Sequence, residues 1–356
     1  MTSIKKLRGR VDHVDRSLLE LISQRARLVQ EIGDIKARNG QSVFVPGRER
    51  ALLAGLKAKN NGPLSAEAVE NIFREIVHTC RHLEKALKVA YFGPEASFSH
   101  AAALQCFGKN AQLAPMRTIS EVFSEVDKGR ADFGVVPIEN STGGGVYHTL
   151  DMFIESPLSI CAELELPVHH YLLGRSARSL EEVKTLFTHY QALSQCRDWV
   201  DTHLPGARIV ESTSTSEAAR QASRTAKSAA IASKLAADQY GLKVLASRIE
   251  DSSQNYTRFL VIGTAEPQPT RRDKTSIMFS IKDRPGALFD VLLPFKKARL
   301  NLTKIESRPT RQKAWEYIFF VDFLGHRAEL RVQKALKDLE RSCVFLKILG
   351  SYPRGE

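Results

Sequence analysis

The sequence predicts a multidomain fold: an all-α module of three helices, then an α/β domain, then a small α+β domain. Three observations predict it. Residues 1–87 carry apolar side chains at spacings of three and four, which is typical of helices. From Lys88 onward, short apolar strands alternate with helical patterns, which is typical of α/β layering with open sheets. Residues 274–352 then follow the order βαββαβ, which is the ferredoxin-like pattern.

Composition places the chain among ordinary globular proteins. Of its 356 residues 43% are apolar and 26% are charged, and we find no run approaching the ~18 apolar residues of a membrane span. The basic start lacks the apolar core of a signal peptide, so we expect a cytoplasmic location. The five cysteines are widely spaced without a C-x-x-C pair, which indicates reduced thiols and neither disulfides nor metal binding.

The net charge of +12 permits nucleic-acid binding, so that function has to be considered. The first 88 residues hold 17 basic and 10 acidic side chains, which locates more than half of the excess in the helical module. These basic residues are dispersed or lie on apolar helix faces without interleaved aromatic residues. A nucleic-acid binder therefore remains the weaker alternative, and we expect no nucleic-acid partner.

The first helix is predicted from Leu7 to about Lys36, roughly 30 residues or about 45 Å. A second helix is predicted from Pro46 or Gly47 to about Lys59. A third is predicted from Ser65, a suitable N-cap, to about Lys88. A helix as long as the first cannot bury its apolar stripe alone, so partner helices are required.

Two cations interrupt the apolar face of the first helix. Arg25 and Lys36 are eleven residues apart, which is three turns plus about 20°, so both point the same way. Cations on a face that should be buried need a partner. A simple salt bridge to a nearby acid is one explanation, and the candidates are Glu31, Asp34 and Glu49.

The wider pattern of these helices resembles the helical chorismate mutase family over residues 4–87. The matching residues are Leu7-Arg8, Asp15, Leu18-Leu19, Arg25, Lys36 and Arg48-Glu49-Arg50. The resemblance implies an intertwined dimer that binds chorismate, a dicarboxylate, between cations from two chains. Arg8 and Arg25 lie about 25 Å apart along one helix, so Arg8 would reach into the partner's site.

The resemblance also implies a role for each matched side chain. Arg8, Arg25 and Arg48 would hold carboxylates, Lys36 would donate to the ether oxygen, and Glu49 would hold the ring hydroxyl. Glu84 falls where the family places Gln or Glu as a donor to the same ether oxygen. Because an ionised carboxylate cannot donate, we expect Glu84 to act in its protonated form. Val45 and Cys80 depart from the commoner family pattern.

Three polar stretches of the middle domain stand where loops at strand ends are predicted to converge on a cleft. They are residues 136–145, rich in glycine; residues 188–196; and residues 255–259, which end in Thr257-Arg258-Phe259. Exposed amides beside Asn140 could form an anion pocket, although a simple glycine-rich connection that caps a helix is an equal alternative. The domain has no G-x-G-x-x-G pattern and no phosphate loop, and its histidines lack an acidic ligand pattern. We therefore expect no cofactor and no metal.

Residues 88–264 resemble prephenate dehydratase. The matching motifs are Gly93-Pro94-Glu95, Pro137-Ile138-Glu139-Asn140-Ser141, Gln191 to Cys196, Ile249-Glu250-Asp251 and Asn255 to Phe259. The resemblance implies two α/β lobes similar to a periplasmic binding protein, with the site in the cleft. There, prephenate would lose carbon dioxide and its ring hydroxyl to give phenylpyruvate. Thr257 would assist the leaving hydroxyl, Arg258 would anchor a carboxylate, and Asn140, Thr188 and Gln195 would orient the substrate. Four positions differ from the commoner pattern: Ala96, Gly143, Tyr147 and Tyr190.

The C-terminal βαββαβ segment resembles the ACT regulatory domain of prephenate dehydratases. Two motifs carry the resemblance, Arg284-Pro285-Gly286-Ala287-Leu288 and the stretch from Asn301 to Pro309. The resemblance implies that phenylalanine binds across a dimer interface. The candidate effector residues are Gly286, Ala287, Leu288, Asn301, Glu306, Ser307, Arg308 and Pro309. The alternative is a small packing domain with a Pro-Gly turn.

Together, the three resemblances predict a bifunctional chorismate mutase and prephenate dehydratase under phenylalanine feedback control. The expected division is a mutase domain at residues 1–87, a dehydratase domain at 88–265, a linker at 266–273 and an ACT domain at 274–352. The expected partners are chorismate, prephenate, phenylalanine and at least one further copy of the chain. A non-catalytic amino-acid sensor is an alternative, which the presence of Asn140, Thr257 and Arg258 counts against.

Overall fold

The computed structural model describes residues 3–177, 179–282, 284–309 and 317–355. The chain divides into two compact units. The first comprises Met1–Leu87 with Phe107–Gln112, and the second comprises Lys88–Cys106 with Leu113–Glu356. Among the residues described, no helix has the length and apolar character needed to cross a membrane.

The first unit contains the three predicted helices, α1 (Ile4–Arg38), α2 (Pro46–Ala58) and α3 (Ala66–Glu84). Ser65 caps α3 as predicted, since its side chain accepts a hydrogen bond from the amide of Ala68. α3 ends four residues earlier than predicted, because Lys85 already adopts an extended conformation.

α1 packs on α3 but keeps much of its apolar stripe exposed. Large apolar side chains that remain at least 40% exposed occur along its whole length: Ile4, Leu7, Val11, Val14, Leu18, Leu19, Leu21, Ile22, Leu28, Ile32 and Ile35. Burying a side chain of this size contributes roughly 1.5–3 kcal/mol, so a second apolar surface placed on α1 would be strongly favoured.

The second unit begins with an α/β lobe. Its elements are β1 (Lys88–Phe92), α4 (Phe98–Phe107), β2 (Gln112–Met116), α5 (Ile119–Asp127), β3 (Phe133–Asn140), β4 (Gly144–Gly145), α6 (Tyr147–Glu155) and β5 (Ser159–Pro167). The chain then crosses into a second lobe and later returns.

The second lobe holds a five-stranded sheet. Its elements are β6 (Tyr171–Gly174), β7 (Thr185–Thr188), α7 (Tyr190–Ser194), α8 (Arg197–His203), β8 (Arg208–Glu211), α9 (Thr215–Ala222), β9 (Ser228–Ala232), α10 (Lys234–Tyr240) and β10 (Lys243–Ser247). Its strand order is β10-β6-β9-β7-β8. The helix predicted from Ser194 to Thr202 is in fact two short helices, α7 and α8, with Gln195 and Cys196 between them.

The chain returns to the first lobe as β11 (Tyr256–Gly263), which lies between β3 and β5. This completes the strand order β2-β1-β3-β11-β5, with β4 paired to β3. The chain therefore crosses between the lobes twice, and both lobes present loops to the cleft between them, as in the two-lobed fold predicted.

The last part of the chain forms the predicted βαββαβ fold. Its elements are β12 (Asp273–Ser280), α11 (Ala287–Lys297), β13 (Leu302–Pro309), β14 (Tyr317–Leu324), α12 (Leu330–Glu340) and β15 (Phe345–Pro353), with sheet order β13-β14-β12-β15. The third strand was predicted to start at Trp315, which lies outside the described residues. Asp273, expected in the linker, already pairs with Pro353 in the sheet.

This third fold shares a hydrophobic core with the first lobe. Ile138, Ile160 and Leu260 of the lobe belong to the same buried cluster as Phe320 and Leu349 of the third sheet. As a result, β3 and β11 have one face toward the cleft and the other toward the third fold.

Candidate active sites

The helical unit contains a pocket of about 740 Å³ lined by all three helices. Five of the six predicted mutase residues line it: Arg25 and Lys36 from α1, Arg48 and Glu49 from α2, and Glu84 from α3. α1, α2 and α3 thus bring together cations that are up to 23 residues apart in the sequence, with two acids among them.

Two ion pairs organise this pocket. Lys36 Nζ lies 2.8 Å from Glu84 Oε2, so Lys36 is paired across the helices and not with one of the acids suggested by sequence proximity. Glu49 Oε1 lies 2.6 Å from Arg81 Nη1. Burial raises the pKa of Glu49, and the charge of Arg81 acts against that rise. Arg25 keeps a buried Nη1 that has no hydrogen-bond partner among the residues described, so this donor is available for a carboxylate.

Arg8, the sixth predicted mutase residue, is exposed on α1 and does not line this pocket. It lies 17 residues before Arg25 on the same continuous helix, about 25 Å away at 1.5 Å per residue. Only a second copy of the chain could bring an Arg8 to the pocket, as the family resemblance implies.

Arg81 is a pocket residue that sequence reasoning missed. It follows Val77 by four residues, so it continues the apolar stripe of α3, and a cation in that position was a visible signal. Its side chain is only 4% exposed.

The second unit contains a cleft of about 990 Å³ between its two lobes. Asn140 and Thr257 line it from the first lobe, and Gln195 lines it from the second lobe together with His170. Three of the five predicted dehydratase residues therefore meet in one cleft, although up to 117 residues separate them in the sequence.

A chain of hydrogen bonds connects these side chains. Gln195 Nε2 donates to Thr142 Oγ1 at 3.0 Å, and Thr142 Oγ1 donates to Asn140 Oδ1 at 2.7 Å. Asn140 Nδ2 then donates to Thr257 Oγ1 at 2.9 Å. At the other end, Gln195 Oε1 lies 2.8 Å from His170 Nε2. Burial lowers the pKa of His170, so its ring is neutral at pH 7.

The direction of this chain follows from two backbone amides. The amides of Thr142 and Gly143 both donate to Asn140 Oδ1, at 3.1 and 2.8 Å. A backbone N–H can only donate, so this atom must be the amide oxygen and its neighbour the NH₂ group. Thr257 Oγ1 therefore accepts from Asn140, and its own proton stays available for a group in the cleft.

Arg258 does not line the cleft, because successive side chains of a strand point to opposite faces. Thr257 and Phe259 face the cleft, whereas Arg258 points to the third fold and is only 8% exposed. It donates to Glu163 at 2.7 Å, to Asp322 at 2.6 Å and to Tyr352 at 3.0 Å. Arg258 is thus bound within the protein and has no contact with the cleft.

Thr188 is also buried away from the cleft lining, and its hydroxyl donates to the carbonyl oxygen of His189 at 3.2 Å. Its place at the end of β7 fits the prediction, but its side chain lies below the surface. Two guanidinium groups that the sequence reasoning did not single out do line the cleft, those of Arg117 and Arg220. Arg117 is exposed, and Arg220 pairs with Glu217 at 2.6 Å.

The predicted effector residues lie at two ends of the third sheet. β12 and β13 both run antiparallel to β14, so they run in the same direction, and α11 returns between them. The loop before α11, where Gly286 has a φ of 78°, therefore shares one end of the sheet with Arg308 and Pro309. Asn301 stands at the opposite end, roughly 23 Å away along β13 at ~3.3 Å per residue. One chain does not bring Gly286 and Asn301 together.

β13 presents its side chains alternately to two environments. Lys304 pairs with Glu139 at 2.9 Å, and Arg308 pairs with Asp151 at 3.0 Å while its guanidinium lies 4.2 Å from the ring centre of Tyr147. Glu306 lies on the same face, beside Gly145. Ser307 and Pro309 are exposed on the other face. Glu306 and Arg308 therefore contact the first lobe of the second unit within the same chain.

No group of three or more His, Cys, Asp or Glu side chains suited to a metal ion occurs in the part of the chain that the structure describes.

Comparison with known proteins matches each part of the chain. Residues 7–85 match the profile of chorismate mutase type II, residues 89–267 that of prephenate dehydratase, and residues 275–341 that of the ACT domain. The bifunctional chorismate mutase/prephenate dehydratase of Aquifex aeolicus is 46% identical over 99% of both chains. That of Pseudomonas aeruginosa is 45% identical over 99% of this chain and 98% of its own.

A solved structure gives the same result for the second unit. The prephenate dehydratase of Arthrobacter aurescens in complex with L-Phe is 38% identical, with a TM-score of 0.70, and covers 75% of this chain and 90% of its own. The chain belongs to the family of bifunctional chorismate mutase/prephenate dehydratases.

Proposed function

We infer that this chain converts chorismate to prephenate and prephenate to phenylpyruvate, and that phenylalanine inhibits it allosterically. The observation that supports this function best is the match, over 99% of the chain, to relatives named bifunctional chorismate mutase/prephenate dehydratase. The separate pocket and cleft supply one site for each reaction. The first step makes the substrate of the second, and the ACT fold binds phenylalanine, the end product of the pathway.

The mutase step needs charge stabilisation and no nucleophile, since it is an intramolecular rearrangement. Arg25 and Arg48 hold the two carboxylates, and Lys36 donates to the ether oxygen whose bond breaks. One cation beside one anion contributes up to ~4 kcal/mol at an effective dielectric of 20. Two or three aimed at one compact transition state supply the ~8 kcal/mol of a millionfold acceleration.

A second copy of the chain completes this site. The exposed apolar stripe of α1 and the isolated Arg8 at its start both support a homodimer in which two long helices pack side by side. In that arrangement each pocket receives Arg8 from the other chain. The division into domains at residues 1–87, 88–265, 266–273 and 274–352 belongs to the same proposal, and a cytoplasmic location stays a prediction.

In the dehydratase step the bond to the ring carboxylate breaks and its electron pair enters the ring as the hydroxyl leaves. Thr257 donates its proton in a hydrogen bond to the departing oxygen, and Asn140 holds Thr257 in the orientation that makes this possible. Arg117 and Arg220 line the same cleft and are suited to bind the remaining carboxylate. Arg258 and Thr188 support the strand ends that carry these groups.

Phenylalanine inhibits the enzyme by binding one conformation more tightly than another, which requires a coupling of typically 1–3 kcal/mol. The proposed effector site combines Gly286, Ala287, Leu288, Ser307 and Pro309 of one chain with Asn301 of a second copy. Glu306 and Arg308 lie on the inward face of β13, where they carry the signal to the dehydratase lobe.

A coupled assay from chorismate tests the assignment of the two sites. Lys36→Ala should abolish prephenate formation and leave phenylpyruvate formation from added prephenate intact. Thr257→Val should do the reverse, and Thr257→Ser, which keeps the hydroxyl, is the matched control. Loss of both activities in either variant would contradict two separate sites. A pure amino-acid sensor would form no phenylpyruvate even as wild type.

A further inference from the structure

Arg81 is a buried cation in the mutase pocket to which the proposed mechanism assigns no task. Its Nη1 lies 2.6 Å from Glu49 Oε1, and its side chain is 4% exposed. Its guanidinium carbon lies 5.2 Å from the ring centre of Phe44 and 5.6 Å from that of Phe107. The two rings are themselves in contact, with centres 4.7 Å apart. The guanidinium is therefore held by two aromatic rings and by an ion pair with Glu49.

Glu49 needs such a neighbour to carry out its proposed role. A carboxylate that accepts the ring hydroxyl of chorismate binds it about twice as strongly as a neutral acceptor would. Burial of Glu49 disfavours that charged form, and the nearby Glu84 adds to the effect. Lys36 and Arg81 oppose it, and Arg81 is the larger of the two influences. Lys36 pairs with Glu84, and Arg81 pairs with Glu49.

The aromatic contacts explain why arginine suits this position better than lysine. A planar guanidinium over a ring is attracted by the electrons of the ring face, and it presents its N–H groups in a fixed fork. A lysine ammonium at the same place would supply the charge without the fixed direction. The site is thus arranged to set both the charge of Glu49 and the direction of its oxygens.

We propose that Arg81 is a positioning residue of the mutase site, which holds the Glu49 carboxylate in the orientation that receives the ring hydroxyl of chorismate. This proposal rests on the mutase activity inferred above. Arg81 is the fourth guanidinium or ammonium group that one chain contributes to the pocket, after Arg25, Lys36 and Arg48, and it acts on the substrate only through Glu49.

The test uses the full chain with Arg81→Met, Arg81→Lys and Glu49→Gln. Arg81→Met should lower mutase kcat/KM by about 10- to 100-fold, and the acid limb of its pH profile should move to higher pH, because Glu49 loses its main cationic neighbour. With Arg81→Lys, the acid limb of the pH profile should lie close to its wild-type pH, whereas kcat should recover only in part. Arg81→Met should add little further loss in the Glu49→Gln background, because both changes remove the same interaction.

Dehydratase activity from added prephenate is the internal control for folding. An unchanged pH profile in Arg81→Met with intact dehydratase activity would overturn the proposal, as would losses that multiply in the double variant. Should Arg81→Met fail to fold, Arg81→Lys decides, because full mutase activity with that variant would show that the fixed direction has no role. Absence of mutase activity in the wild type would instead overturn the proposed function.

Discussion

At the scale of single residues, the two acids of the mutase pocket have different neighbours and therefore different expected roles. Glu49 accepts from Arg81, whereas Glu84 accepts from Lys36. Lys36 and Glu84 are both proposed to donate to the ether oxygen of chorismate. While Glu84 is ionised it cannot donate, so Lys36 is then the donor of the two.

We predict that Glu84→Gln keeps mutase activity and that Glu84→Leu loses most of it. The proposed role of Glu84 is to donate a hydrogen bond to the ether oxygen, and an amide can donate there whereas a methyl group cannot. Initial rates from chorismate measure this, and Glu70→Gln, at a carboxylate outside the pocket lining, is the control. Equal rates for Glu84→Leu and the wild type would rule out Glu84 as a donor.

Arg258 and Arg117 provide a matched comparison between a structural and a substrate-facing guanidinium. Arg258→Met leaves Asp322 without its 2.6 Å partner in a buried cluster, so we expect a loss of about 3–5 kcal/mol in stability. The KM for prephenate should change less than about threefold in the folded variant. Arg117→Met, in the cleft lining, should raise KM about tenfold and leave stability unchanged. Thermal unfolding and steady-state kinetics separate the two outcomes. A large rise in KM for Arg258→Met would restore its assignment as a carboxylate anchor.

His78 should make stability depend on pH. Burial, with Arg81 and Arg74 nearby, lowers the pKa of His78 from 6.5 to about 3. The folded state thus favours the neutral ring. The contribution of His78 to the free energy of unfolding is therefore complete above pH 6.5 and decreases as pH falls toward 3. Between pH 6.5 and 5 the loss is about 2 kcal/mol. Unfolding midpoints should fall less steeply with acid in His78→Gln than in the wild type or in His13→Gln, which alters an exposed ring. Equal slopes in all three proteins would contradict the prediction.

At the scale of elements, β3 and β11 form the centre of the second unit. Thr257 is paired in register with Asn140, and Arg258 with Glu139. The first pair faces the cleft, and the second faces the third sheet through Lys304 and Asp322. The same two strands therefore carry reactive side chains on one face and ion pairs to the regulatory fold on the other.

α1 leads to a prediction about assembly. Leu18→Glu places a charge in its exposed apolar stripe and should shift the chain from dimer toward monomer, with loss of mutase activity because Arg8 no longer reaches a second pocket. Sedimentation velocity and the mutase assay measure both effects. Gln30→Glu adds the same charge at an exposed position about 120° around α1 from Leu18 and should change neither. A fully active monomer would contradict the shared site.

The sequence predicted the type and order of most elements, because periodicity is a local property. It predicted Asn140, Gln195 and Thr257 from motifs, and these meet in the cleft. It did not predict that the side chains of Thr257 and Arg258 point to opposite faces of β11. A motif match treats neighbouring residues as one unit and ignores the alternation of side chains along a strand. Nor did it predict the pairing of Glu49 with Arg81, 32 residues away, since such pairs depend on how helices pack.

At the scale of the whole molecule, the second unit joins an enzyme and its sensor through one hydrophobic core, while the helical unit is compact by itself. Regulation of the dehydratase therefore does not have to pass through a flexible tether. Ion pairs such as Lys304 with Glu139 fix the ACT sheet against the strands of the catalytic cleft.

The alternation along β13 has a consequence for metabolic engineering. Exposed positions such as Ser307 and Pro309 are proposed to contact only the effector, whereas Lys304 and Arg308 face inward and form ion pairs with the catalytic lobe. Strains selected for overproduction on a toxic analogue of phenylalanine should therefore fall into two groups. Replacements at the exposed positions should release the pathway from inhibition at full flux, and replacements at the inward positions should release it at reduced flux.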